Sequence, residues 1–427
     1  MRLETPKYEP ASYKRWGYFV VQSLTATRED ASHIVPISLA AQNQFFLVIC
    51  LGLLFLNLLT FAYHLSGSTL FNVLSNAVSL LLISYSVYLV LIAGEDSGSY
   101  KIILVLACVF VGASYLVNYG SFETADALKY LSLYTFYIAG RSAPGRVRPG
   151  EKRCIYALAA LPLIFKLVGE TKIYVGVEFP DVFAYFPNTN TAALFFAAVC
   201  FSLSQWFGNK VLVLQFINAA VMNRVGAALA TILAIGMWSA FPLRPQVFVV
   251  FFLLGVAGAV GFALGAMDRL LTGLESLALI WSLNPSTVAR MTYKQLIELT
   301  GTTDLSAFFR VIHWTNILEY YSTQGLSVIL FGYGAGQSGV VAVIPMPPHN
   351  DYLRILAEYG LLSFVVFAFF VTTIVMSLKL QAAKILFTVL LIYFFSENLL
   401  DNFTSMALFF SYAGRFTSGR SFGSNYA

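Results

Sequence analysis

His349 is the residue in this chain whose neighbours best suit it to move a proton. It follows Pro347-Pro348 and opens the segment HNDYLRILAEYG at 349–360. An imidazole titrates near neutral pH, and this one heads a long apolar run, at the lip of a membrane helix. Such a base can work on a substrate presented at a membrane surface. Arg224 and Arg310 offer the complementary chemistry. Guanidinium groups stay charged at any relevant pH and match phosphate oxygens with paired hydrogen bonds. Arg224 lies between QFINAAVM and VGAALATILAIGMW, with no acidic residue within ten positions on either side. A charge so placed faces a partner or a wet cavity, or snorkels to the headgroups. A solvated surface arginine and a structural histidine at a helix start are the plainer accounts of Arg310 and His349. The residues alone leave both accounts open.

The elements that must position these groups are membrane helices. Of 427 residues, 58% are hydrophobic and 11% charged, where a soluble domain carries roughly 25% charge. The mean hydropathy is +0.74. Apolar helices are expected near 45–64, 70–93, 101–119, 125–140, 153–168, 190–207, 210–222, 225–241, 246–265, 351–378, 385–401 and 403–414. The class is therefore an all-α, polytopic integral membrane protein with about eleven to twelve spans. Met1–His33 is polar and lacks a cleavable signal pattern, so the first apolar helix is expected to stay as an anchor. Cys50, Cys108, Cys154 and Cys200 are scattered and read as packing residues.

Basic residues orient the set. Arg141, Arg146, Arg148, Lys152 and Arg153 crowd one link, and positive short loops face the cytoplasm. The division that follows is a cytoplasmic segment 1–44, helices over 45–265, a large external loop 266–348 and C-terminal helices with a tail over 349–427. Loops of that length are usually functional or disordered. This one holds Trp281, Trp314, Tyr320, Tyr321, Phe308 and Phe309, enough to bury a small core. Thr303-Asp304 is expected to cap a helix reaching about Thr323, with Arg310, His313 or Trp314, and Ile317 on one face. FGYGAGQSG at 331–339 reads as a tight glycine turn, and Arg354 with Glu358 as an i,i+4 structural pair.

What is missing narrows the chemistry. No DxD pair, HExxH, paired zinc ligands or P-loop occurs, so no metal or nucleotide site is expected. Acids inside the expected spans are few (Glu397 and Asp401 near the C-terminus, with Asp126, Asp351 and Glu358 toward span starts), fewer than an ion-driven transporter would carry. The net charge of +5 is small, and no nucleic-acid partner is expected.

PHNDYLRILAEYG resembles the hallmark of the O-antigen ligase/polymerase superfamily (WaaL and Wzy types), in which a histidine-asparagine step opens a helix ending in Glu-x-Gly. NRVGA at 223–227 resembles that family's Ser-Arg-Gly-Ala turn, with Asn223 and Val225 as departures. FFRVIHWTNIL at 308–318 resembles its Arg-x3-Trp loop helix, FGYGAG its glycine turn, and FPNTNTAALFF at 186–196 the Asn-rich entry of an earlier helix. The matches keep the family's order over residues 186–360.

The resemblance implies a GT-C-like fold with a partly helical periplasmic loop. It implies an inverting, metal-independent glycosyltransferase without a cofactor, in a bacterial inner membrane, its site facing the periplasm. Donor and acceptor would be undecaprenyl-pyrophosphate-linked oligosaccharides, with a flippase and a chain-length regulator as further partners. Carried over, Arg224 and Arg310 would hold the pyrophosphate and His349 would activate the acceptor hydroxyl. Asn350, Tyr333, Trp314 and Asn188 would support them. A Wzy-type polymerase making O-antigen or exopolysaccharide is the preferred expectation. A WaaL-type ligase acting on lipid A-core, or a polysaccharide or lipid-carrier transporter, are the alternatives.

Overall fold

The computed structural model describes residues 35–92, 98–143, 149–168, 189–222, 225–238, 305–340 and 347–418, with Phe186 and short pieces between 275 and 301. Helix makes up 84% of it, and no strand occurs among the described residues. In order come α1 (Val35–Ser66), α2 (Thr69–Ile92), α3 (Gly98–Val117), α4 (Thr124–Ser142), α5 (Pro149–Val168), α6 (Thr189–Phe207), α7 (Lys210–Val221) and α8 (Val225–Trp238). The short helices α9 (Pro285–Val288), α10 (Tyr293–Thr300), α11 (Ser306–Ser322) and α12 (Leu326–Phe331) follow. Last are α13 (Asp351–Ser377), α14 (Gln381–Phe394) and α15 (Phe403–Thr417).

Helices occur where the apolar runs place them, except that 246–265 lies outside the described residues. α1 starts at Val35 rather than 45, and α14 stops at Phe394 rather than 401. Among the described residues, five stretches are long and apolar enough to cross a bilayer: Ala41–Ser66, Thr69–Ile92, Gly98–Val117, Asn190–Phe207 and Asp351–Ser377. The chain is a helical membrane protein. The other described helices at expected spans are shorter, or, like α4 and α5, carry too much charge to pass as lipid-facing helices.

The reason is visible in the packing. α2 and α3 turn Leu81, Leu91 and Leu116 outward, as lipid-facing surfaces do. α4 is wrapped by protein: Tyr130, Tyr134, Phe136 and Tyr137 are fully buried. Their hydroxyls are satisfied inside, Tyr130 with Tyr134 at 2.8 Å and Tyr137 with Thr417 Oγ1 at 2.8 Å. A helix shielded from lipid tolerates such polar groups, because each finds a partner.

α4 and α15 run side by side in the same direction. Lys129 lies 3.5 Å from Asp401 at their starts, and Arg141 donates to the Thr417 carbonyl at 2.6 Å at their ends. Between these points Gly140 faces Ser411 so closely that a β-carbon on it would lie 2.0 Å from the Ser411 carbonyl oxygen. At the end of α15, Arg415 is buried, stacks over Phe46 with its guanidinium carbon 3.4 Å from the ring centre, and forms an ion pair with Glu151 of α5. Tyr412 donates to the same carboxylate at 2.6 Å, and Arg415 also donates to Gln205 at 3.1 Å.

α13 is two helices in line. Gly360 breaks it at φ 78°, ψ 176°. The break leaves carbonyls open, and the glycine turn fills them: Tyr333 N–H donates to Ala357 O at 2.8 Å and Gly334 N–H to Glu358 O at 3.0 Å. Gly332 (φ 77°, ψ −172°) faces the break from the other side. The first segment of α13, headed by His349, is therefore clamped from outside the helix.

Candidate functional site

His349 holds a left-handed backbone (φ 49°), the sole non-glycine residue with positive φ among those described. Histidine enters this region more readily than most side chains, yet it is sparsely populated and commonly marks functional positions. Two neighbours fix it. Asn350, in an extended conformation, caps α13 by accepting from Leu353 N–H at 3.1 Å. Trp314 Nε1 donates to the Pro348 carbonyl at 2.5 Å, and its ring meets Phe395 edge-on at 5.1 Å. The capping role of Asn350 and the tether from Trp314 turn the imidazole toward α11.

On α11, Arg310 and His313 share the expected face with Ile317; His313 and Ile317 are fully buried. The helix starts at Ser306 with Leu305 at its N-cap and no side-chain cap bond; Thr303 and Asp304 lie outside the described residues. Phe309 lies against the His313 ring at 5.6 Å and meets the His349 ring at 6.3 Å.

The group that gathers these residues is Glu397, in the link between α14 and α15. Its carboxylate lies 3.7 Å from Arg310 Nη2 and 3.9 Å from His349 Nδ1, and accepts a 2.6 Å hydrogen bond from Asn190 Nδ2 on α6. Arg310 Nε and His349 Nδ1 are buried without a hydrogen-bond partner. The contacts to Glu397 are thus electrostatic and loose, and donor capacity is left over. Burial, then the charge of Arg310, then His313 hold the His349 pKa below its ordinary value of 6.5. That direction favours the neutral imidazole, the form that accepts a proton.

Glu397 was legible only as a rare acid in an apolar stretch, and was expected inside a span. The resemblance points to Asn188, two residues earlier in the same Asn-rich entry, and not to Asn190. Asn188 and Arg224 both lie outside the described residues. Tyr333 stacks on Tyr320 at 5.5 Å, with its hydroxyl buried and unpartnered. It packs with Trp314, Ile317, Leu353 and Ala357, behind the helix that carries His349.

The Arg354–Glu358 pair appears as expected, at 3.1 Å and buried, but it belongs to a larger cluster. Arg354 also meets Asp126 at 2.8 Å and Asp401 at 3.0 Å, and Ser338 donates to Glu358 at 2.6 Å. Asp351 accepts the Leu400 amide at 3.1 Å and the Leu399 amide at 2.5 Å. That contact ties the start of α13 to the link bearing Glu397. Among the described residues, no group of three or more His, Cys, Asp or Glu side chains is arranged to hold a metal ion. No family model matches the chain, and no curated protein matches it.

Proposed function

We propose that the chain is a GT-C-like, inverting, metal-independent glycosyltransferase of the O-antigen ligase/polymerase type, acting as a Wzy-type polymerase on undecaprenyl-pyrophosphate-linked repeat units. One observation carries this: Arg310 and His349, far apart in the sequence, converge on Glu397 with unused hydrogen-bonding capacity on both. An anion clamp beside a neutral base is what transfer from a pyrophosphate carrier needs.

In the proposed step the acceptor hydroxyl oxygen attacks the anomeric carbon. The bond from that carbon to the carrier's pyrophosphate oxygen breaks, and its electron pair leaves on the pyrophosphate. Arg310, with Arg224, stabilises the charge that develops there, the task a metal performs elsewhere. The hydroxyl proton passes to His349, and Glu397 stabilises the imidazolium that results. Arg224 immediately precedes α8, whose far end, Trp238, accepts from Gln381 at the start of α14. α8 therefore begins toward the end of α14 that leads to Glu397. The basic residues Arg141 and Arg415 mark the opposite end of the bundle from His349. With that basic end in the cytoplasm, His349 faces the periplasm of a bacterial inner membrane.

The test supplies a synthetic undecaprenyl-pyrophosphate oligosaccharide to the purified protein with EDTA present. A ladder of products is expected. Product only on addition of lipid A-core would replace polymerase by ligase, and no covalent product in either case would overturn both. Arg224→Ala and Arg310→Ala are expected to abolish turnover in protein that still inserts and folds.

A further inference from the structure

A cavity of about 370 Å³ opens beside the His349 site. Glu123, Asp126 and Lys129 line it from the start of α4, Arg354 and Glu358 from α13, and Pro347 and Asp401 close it. Pro347 stands two residues before His349 and Asp401 four after Glu397, so the same two chain segments wall both places. His349 is thus two residues from the cavity wall at Pro347, and it shares Glu397 with Arg310.

The charge of the lining is unbalanced. Glu123, Asp126, Glu358 and Asp401 face only Lys129 and Arg354, an excess of two negative charges. Both cations are engaged, Arg354 with Asp126, Glu358 and Asp401, and Lys129 with Asp126 and Asp401. Acceptor capacity remains. Glu358, 1% exposed, keeps Oε2 without a hydrogen-bond partner, and Glu123 has no ion pair among the described residues. A buried, unpaired carboxylate oxygen in an acidic cavity calls for a cationic donor. The carboxylates here are not grouped to hold a metal ion. An ammonium group, with three N–H donors and one positive charge, fits the oxygens left open.

We propose that this cavity binds a primary ammonium group carried on the acceptor saccharide, an amino sugar whose ring hydroxyls meet the remaining carboxylate oxygens. The proposal rests on the glycosyl-transfer function above, and it places the acceptor against the chain segment that carries His349.

The test is a binding measurement with no lipid-linked donor. A β-1,4-linked glucosamine disaccharide and its N-acetylated counterpart are titrated calorimetrically against the full-length protein in phosphatidylcholine nanodiscs. The amine is expected to bind at least about tenfold more tightly than the acetylated form. Asp401→Asn and Glu123→Gln, shape-conserving changes at exposed positions, should each weaken the amine by about fivefold. Arg310→Ala should leave that affinity unchanged. Equal affinity for the two sugars, no binding of either at millimolar concentration, or wild-type affinity in both variants would overturn the proposal. Displacement of the disaccharide by phosphatidylethanolamine in the nanodiscs would assign the ammonium to a lipid headgroup and overturn the saccharide. Loss of polymerisation with amine binding intact would overturn the transfer function alone.

Discussion

Replacing Gly360 by alanine tests whether the break in α13 depends on backbones that only glycine adopts. At φ 78°, ψ 176° the residue occupies a region essentially closed to other side chains, and forcing alanine into it costs about 1–3 kcal/mol. A β-carbon there would also lie 2.3 Å from the Leu330 carbonyl oxygen and 2.4 Å from Phe331 N. Those atoms are backbone, so α12 must retreat as a unit, an overpacking cost of about 1–3 kcal/mol. The expected loss is therefore about 2–6 kcal/mol, out of a total stability of about 5–15 kcal/mol. Gly332 is the mirror position: its β-carbon would lie 2.4 Å from the Glu358 carbonyl carbon and 2.6 Å from Tyr359 N. Either alanine pushes the same two segments apart. The double variant should then cost less than the sum of the singles, by about 1 kcal/mol or more. Unfolding in mixed detergent–SDS micelles, followed by tryptophan fluorescence, gives both quantities. A loss below about 0.5 kcal/mol for Gly360→Ala, or strict additivity, would refute the reasoning.

Further outcomes are expected. Glu397→Gln keeps the shape but removes the charge shared by Arg310 and His349; at about 1.5–3 kcal/mol for a hydrogen bond to a charged group, turnover should fall roughly 10- to 100-fold with the melting curve unchanged. His349 titrates below 6.5, so it stays neutral where free histidine is protonated, and the acid limb of activity should lie under that pH. Because the Arg310 charge is one cause of the lowering, Arg310→Gln should move the His349 titration upward, as followed by NMR of ¹⁵N-labelled histidine. Arg354→Met strands Asp126, Glu358 and Asp401 without their shared cation and should cost about 3–5 kcal/mol in the same unfolding assay. Gly140→Val drives α4 from α15 and should lower stability by about 1–3 kcal/mol or more.

Local features were readable from the sequence, and convergent ones were not. The apolar runs place the helices because burial and lipid contact both select the same side chains. The i,i+4 spacing gives the Arg354–Glu358 pair because a single helix brings those positions together. Gly360 stands in the sequence as a glycine inside the expected span 351–378; that it breaks α13 goes with its close approach to Leu330, which the apolar pattern does not encode. Glu397 is the clearest case. Its importance comes from Asn190, Arg310 and His349 arriving from three other elements, and in the sequence it is one acid among apolar residues. The polarity of α4 was likewise ambiguous, because a low-hydropathy helix surrounded by protein resembles a loop-bound one until its neighbours are known.

The buried pair of Arg415 and Glu151 constrains how the protein is made. The two residues are 264 positions apart, and at about 5–20 residues per second the second emerges from the ribosome roughly 13–53 s after the first. During that interval Glu151 and Gln205 have no arginine to receive. An unpaired arginine costs about 2.5–3.5 kcal/mol at the centre of an inserting helix and less in the last turn, where Arg415 stands; α15, with 15 residues, has little apolar length to offset even the smaller cost. α15 is therefore a poor substrate for independent insertion and docks into a groove that α4, α5 and α6 have already formed. A nascent chain stopped before α15 would show quality-control proteases that groove, with an unpaired carboxylate inside it.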